Sequence, residues 1–264
     1  MPELIANDGV RLVYDEAGQG GPPLLLVHGF GGDARPFSPQ LEHVRPPHRV
    51  VALDRRGPGR SDKPAGPYDI ASCAAEVGWV IRELGLHRPV LVVHSMGNIG
   101  LEVAAASPTL ICGLVLLDAP AFVPPPVEAA FRDLLGALRG DRYRDAIAGL
   151  CDSLIFHPAD DRARRARLHD ALLETPRSVL EATWAGLLAH DPAPALSRCQ
   201  VPLLHVSSVM PFDEARARQA FPALLTARTV GAGHFHQLEV PDQVNAMISR
   251  FLQLLTASQG SGIS

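Results

Sequence analysis

Four short stretches of nearly unbroken apolar residues punctuate the first half of the chain: Pro23 to His28, Arg49 to Leu53, Pro89 to His94 and Leu110 to Leu117. Runs of this length without polar alternation predict strands covered on both faces. Between the second and third, Ile70, Ala74, Val77, Ile81 and Leu84 recur at helical spacing, and Asp69 stands where a helix cap belongs. Residues 9–15, after the turn signal Asn7-Asp8-Gly9, carry a further strand pattern. Strand, helix and strand in this succession predict right-handed parallel crossovers. The pattern returns late in the chain, where Pro202 to Val206 and Leu225 to Val230 read as strands. A helix follows, with Pro241 near its first position and Val244, Met247, Ile248, Phe251, Leu252 and Leu255 on its apolar face. The small, polar tail Thr256 to Ser264 is expected to fray.

Residues 119–195 break this rhythm. They open on Ala119-Pro120 and the run Pro124-Pro125-Pro126, close on Asp191-Pro192-Ala193-Pro194, and between these read as amphipathic helices without a strand. The pattern therefore predicts an α/β core domain made of residues 1–118 and 196–264, interrupted by an all-helical lid (cap) domain over 119–195. Within the lid, Leu180, Trp184 and Leu187 share a face, which suits core packing or a pocket wall. The run Arg162, Arg164, Arg165 and Arg167 reads as a solvated helix face.

Composition narrows the classes. A chain of 264 residues fits one large α/β domain or two small ones. With 47% hydrophobic and 20% charged residues it has enough apolar surface to fold, which excludes a disordered chain. A net charge of −4 argues against a nucleic-acid footprint. No apolar run approaches the ~18 residues of a membrane span, and the start MPELIANDGVR lacks the basic and apolar regions of a signal peptide. Cys73, Cys112, Cys151 and Cys199 are scattered without a CxxC pair, as expected of free buried thiols in a cytoplasmic protein. No cofactor and no metal are expected, because no His/Cys/Asp cluster has ligand spacing and the glycines do not form a phosphate loop.

The chemistry concentrates in three segments. In LVVHSMGN a predicted strand ends, Ser95 follows His94, and a helix begins at once. A nucleophile elbow sets a serine on such a strand-to-helix turn. Gly97 supplies the small residue two positions after it, while Val93 occupies the earlier position where glycine is usual. The candidate base is His234 in VGAGHF, between the last strand and the last helix, on the same sheet edge as Ser95; His236 is the fallback. In His28-Gly29-Phe30-Gly31-Gly32, after the first buried strand, the Phe30 amide is positioned to form an oxyanion hole with the amide of Met96.

HGFGG, DRRGPGRSD (Asp54 to Asp62), HSMG and GAGHF occur in an order that resembles the α/β-hydrolase fold superfamily, in its capped form. The resemblance implies an eight-stranded, mostly parallel sheet flanked by helices and a Ser–acid–His triad; the DRRGPGRSD loop is then structural. The family's usual acid follows the penultimate strand, but Met210 stands there in Val206-Ser207-Ser208-Val209-Met210-Pro211. Some dehalogenases and lactonases of the fold, the zearalenone lactonases among them, carry the acid after the strand that follows the nucleophile helix. Asp118 holds that place here and is the preferred acid; Asp213 or Glu214, or no acid at all, remain alternatives.

The expected reaction is hydrolysis of a carboxylic ester or lactone of a lipophilic small molecule through an acyl-enzyme. Phe122, Trp184 and Met210 are candidate substrate-binding residues, with Phe30, Met96 and Phe235 as further apolar walls. No nucleic-acid or membrane partner is expected, and the oligomeric state is not readable. Two other classes compete: a cofactor-free dioxygenase or haloperoxidase on the same fold, and a non-catalytic ligand receptor.

Overall fold

The structure is a computed structural model describing residues 1–260. Eight strands form one sheet: β1 (Glu3–Ile5), β2 (Arg11–Ala17), β3 (Leu24–Val27), β4 (Val50–Asp54), β5 (Val90–His94), β6 (Gly113–Leu117), β7 (Leu203–Ser207) and β8 (Leu225–Arg228). Their order is β1-β2-β4-β3-β5-β6-β7-β8. β2 runs antiparallel to both its neighbours, β1 and β4, and every pair from β4 to β8 is parallel. The chain winds from β3 to β4 on one side and then to β5 on the other. The loops after β3 and β5 therefore diverge, leaving a crevice at the strand ends where such sheets bind ligands.

The helices of the core are α1 (Ser38–Val44), α2 (Ile70–Glu83) and α3 (Gly97–Ala106). Asp69 caps α2 by accepting the Ser72 N–H at 2.9 Å. The unbroken apolar runs are explained by two separate cores. Leu25, Val27, Leu91, Val93, Leu114 and Leu116 pack with α2 and α3 on one face. Leu24, Leu26, Val90, Val92, Val115 and Leu117 pack on the other, with Phe37 and the C-terminal helix.

Between β6 and β7 lie only helices: α4 (Pro125–Leu138), α5 (Tyr143–Leu150), a π-helical turn (Cys151–Ile155), α6 (Arg162–Glu174), α7 (Arg177–Ala189) and α8 (Ala193–Arg198). The expected boundary at 195/196 falls inside α8, whose Ala195 and Leu196 are buried in the α3-side core. The arginine run lies on α6, where Arg164 reaches Glu239 (3.1 Å) and Arg165 reaches Asp152 (3.6 Å). After β7 come α9 (Glu214–Ala220), β8, α10 (His236–Glu239) and α11 (Pro241–Gly260). The predicted apolar face of α11 is buried except for the half-buried Met247.

Some boundaries differ from the sequence reading. The strand read at 9–15 is shifted to Arg11–Ala17, because Asn7 to Val10 make the β1–β2 turn. The strand read from Leu110 begins at Gly113, since the Leu110 N–H closes a turn on Ser107 O. Residues 256–260, read as a frayed tail, continue α11; the last four residues of that tail lie outside the described residues. No helix among the described residues is long and apolar enough to cross a membrane. All four cysteines are buried and free.

Candidate active site

β5 ends at His94 and α3 begins at Gly97, so Ser95 and Met96 alone make the turn. Ser95 holds φ 67°, a costly conformation for a residue with a side chain. Hydrogen bonds hold it there. Its N–H donates to Leu117 O (3.0 Å), extending the β5–β6 ladder, and the Met96 N–H folds back onto His94 O (2.7 Å). The site also depends on missing side chains. A Cβ on Gly29 would lie 2.4 Å from Ser95 Cβ and 2.9 Å from its Oγ, and one on Gly97 2.7 Å from Ala119 O. Val93, the departure from the elbow motif, fits because α3 carries Gly100 opposite it, where a Cβ would stand 2.9 Å from Val93 Cγ2.

Asp118 sits one strand over, just beyond β6, also at positive φ (44°) and fully buried. Its N–H donates to Val206 O (2.8 Å). Its Oδ2 accepts the His234 Nδ1–H at 2.8 Å. Its Oδ1 accepts the Ser208 N–H (2.6 Å), and the Met210 N–H lies 3.2–3.3 Å from both oxygens. Burial alone would raise the Asp118 pKa; the hydrogen bond and charge of His234, then His236 and the Ser208 N–H, outweigh it and hold the carboxyl below its ordinary value.

His234 is held on every side but one. Its N–H donates to Ile155 O in the π-helical turn (2.7 Å), its carbonyl accepts from His94 Nε2 (2.9 Å), and its Nδ1–H goes to Asp118. The remaining polar atom, Nε2, belongs to a side chain that lines one cavity with Ser95. Among the described residues no hydrogen bond joins Ser95 Oγ to His234. The helical segment clamps this loop further. The buried Asp160 accepts the Gly233 N–H with one oxygen and the His157 N–H with the other, both at 2.8 Å. A Cβ on Gly233 would lie 2.4 Å from Asp160 Oδ2. Asp160 is absent from the sequence reading, and the glycine before His234 is its only trace there.

The alternative acids are engaged elsewhere. Asp213 caps α9 by accepting the Arg216 N–H (3.1 Å), and the exposed Glu214 pairs with Arg218 (2.7 Å). His236 is buried beside Thr229 Oγ1 (3.0 Å) and does not line the cavity. Burial moves its pKa down to about 4.

The His28–Gly32 loop passes directly over Ser95. Arg55, fully buried, donates to His28 O (3.2 Å) and Gly29 O (3.0 Å), and its own N–H donates to His28 Nε2 (3.0 Å). The Asp54 to Asp62 segment thus braces this loop. From the helical segment, Thr175 Oγ1–H donates to Gly31 O (3.0 Å). The Phe30 N–H has no acceptor among the described residues, whereas the Met96 N–H is engaged by His94 O.

Two cavities meet at Ser95. A narrow one of about 50 Å³ contains Phe30, His94 and His234; a roomier one of about 330 Å³ contains Phe122, Asn98 and His190. Ser95, Phe131, Trp184 and Met210 line both. Trp184 donates its Nε1–H to Phe131 O (2.8 Å) and stands edge-on to Phe30 (4.8 Å). Phe122, Trp184 and Met210 thus all face space next to Ser95. Cys151 also lines the narrow cavity, but burial pushes its thiol up to about 12, so it stays protonated and a poor nucleophile. No group of three or more His, Cys, Asp or Glu side chains among the described residues could hold a metal ion.

Residues 22–198 match the family defined by the α/β hydrolase fold, and the chain belongs to that family. Similar proteins carry out different reactions. The dihydrolipoyllysine-residue acetyltransferase component of the acetoin cleaving system of Pseudomonas putida is 28% identical over 94% of this chain and 68% of its own length. The 2-heptyl-3-hydroxy-4-quinolone dioxygenase AqdC2 of Rhodococcus erythropolis is 27% identical over 96% of this chain and 98% of its own. Among solved structures, Est816, described as an N-acyl homoserine lactone degrading enzyme, superposes with a TM-score of 0.81 at 27% identity, over 95% of this chain and all of the other.

Proposed function

We propose that the protein is a serine hydrolase that cleaves a carboxylic ester or lactone of a lipophilic small molecule, with Ser95 as nucleophile, His234 as base and Asp118 as the acid. The observation that carries this reading is the 2.8 Å bond from His234 Nδ1 to Asp118, which leaves Nε2 as the one unengaged polar atom of a residue lining the Ser95 cavity. A base fixed in this tautomer accepts a proton only at Nε2. Ser95 Oγ attacks the carbonyl carbon as its proton passes to Nε2, and the imidazolium is stabilised by Asp118. The Phe30 amide receives the oxyanion, joined by the Met96 amide as it shares its bond with His94 O. The imidazolium then protonates the leaving alcohol, and a water deprotonated by the same nitrogen releases the acid. The gap between Ser95 and His234 closes when substrate binds, as catalytic bonds that are long in free enzymes do. Est816 supports the ester or lactone reading, since its described substrate is a lactone.

One observation favours a second reading, a cofactor-free dioxygenase: AqdC2 aligns over nearly the whole of both chains. In that case the His234–Asp118 pair removes a proton from a heteroaromatic hydroxyl. Turnover of short-chain ethyl esters and small lactones, followed by proton release, separates the two. A hydrolase should show turnover that a fluorophosphonate abolishes and that Ser95→Ala lacks. Oxygen consumption with a hydroxyquinolone and no ester turnover would favour the second reading; neither activity would leave the receptor class.

A further inference from the structure

The roomier cavity is lined by two residues that carry buried polar atoms without partners, Asn98 Oδ1 and His190 Nδ1. Asn98 is 7% exposed and stands on the first turn of α3. His190 gives its Nε2–H to Glu102 Oε1 at 2.8 Å, which leaves Nδ1 as a lone-pair acceptor. Both orphans are thus acceptors, and a buried acceptor without a donor is costly enough to need an explanation. Of the other polar side chains lining it, Glu128 pairs with Arg132, Asp191 accepts the Ala193 N–H, and Arg216 lies over the Phe122 ring at 4.1 Å.

The reaction sets which part of a substrate lies here. His234 Nε2 must protonate the leaving alcohol, so the alcohol lies on the His234 side of Ser95, in the cavity of about 50 Å³. The cavity of about 330 Å³ contains Ser95 but not His234, and so it receives the acyl side. We propose, resting on the hydrolase reading above, that this cavity is an acyl subsite and that Asn98 and His190 recognise a hydrogen-bond donor, a hydroxyl or amide N–H, on the acyl chain. The substrates are then esters of hydroxy- or acylamino-acids with small alcohol parts, or small lactones that carry a further hydroxyl or acylamino group. Phe122, Trp184 and Met210, which line the same cavity, suit the apolar part of the acyl chain.

The test uses ethyl esters of linear acids of equal length. One series carries a secondary amide, moved along the chain; the other carries a ketone in its place, with the same shape but no N–H. At one chain position the amide should be favoured by at least about tenfold in kcat/KM, since a site built to bond a donor rejects the analogue that lacks it. His190→Phe and Asn98→Leu should each bring the amide-to-ketone ratio toward one. A ratio near one at every position, with esters still cleaved, would overturn the subsite while leaving the hydrolase reading intact. A high ratio that both variants retain would move the recognition elsewhere. Failure to cleave any ester, with Ser95 unreactive toward a fluorophosphonate, would defeat the hydrolase reading itself.

Discussion

A buried carboxylate at a strand end keeps its charge only where donors are turned toward it. Met210 and Ser208 supply them, with backbone N–H groups aimed at Asp118 from the place where the family usually keeps its acid. Asp118 was legible because a missing aspartate at 210 forces a search of the neighbouring strand ends, and Ser95 and His234 because each follows a strand at the same edge. The elbow motif implies the strained turn at Ser95; what no sequence pattern carried is the strain at Asp118, which shares a positive φ with Ser95 at the end of the adjacent strand. Asp118→Asn should fold, since the volume is kept, and lose roughly 10⁴ in kcat because the imidazole tautomer is no longer fixed. Asp213→Asn and Glu214→Gln should stay within about tenfold, a change of only ~1.4 kcal/mol in the barrier. Steady-state kinetics on one ester distinguish these outcomes; a dead Asp213→Asn beside an active Asp118→Asn would reverse the assignment.

At the scale of elements, the buried strands were readable because both faces of the sheet are covered, so their runs are apolar throughout. The edge strand β1 was not, being short and largely exposed. The extent of α8 (Ala193–Arg198) was not readable either, because the Pro-rich run at 191–194 reads as a break, whereas Pro192 and Pro194 stand at the cap and first turn of the helix. The fit of α3 on β5 offers a direct check. Gly100→Ala should cost about 1–3 kcal/mol through its collision with Val93 and Leu114. Adding Val93→Gly should cost less than the sum of the two single changes, as measured by denaturant unfolding; strict additivity would show that the two elements do not meet there. The clamp on the His234 loop makes a second prediction. Asp160→Asn keeps one acceptor but sets an NH2 group against a backbone N–H. kcat should fall on the order of tenfold to a hundredfold, as small misplacements of a base do, with KM little changed. An unchanged kcat would mean that Ile155 and His94 suffice to hold the loop.

For the whole molecule, the buried histidines dominate the response to acid. Burial lowers His28, His205 and His236 to about 4, and His94 well below its ordinary value. The unfolded chain titrates these groups near 6.5, so between 6.5 and 4 it binds more protons than the native state, and stability rises with pH there. Stability should therefore fall steadily as pH drops from 6.5 toward 4. Asp118, held below 3.8, adds to the loss further down, as pH falls through its folded value. Thermal unfolding across this range, with His205→Leu as a variant of weaker dependence, checks the sign. A Tm that is flat from pH 6.5 to 4 would contradict the burial of neutral imidazoles.

Ser95 is proposed as a nucleophile activated by His234 through Asp118. Rapid labelling with a small alkyl fluorophosphonate, followed by peptide mapping, tests it most directly. One adduct per chain is expected, on Ser95, forming roughly 10⁴ times more slowly in Asp118→Asn because acylation needs the same fixed base. An adduct on any other residue, or an Asp118→Asn protein that labels at the wild-type rate, would contradict it.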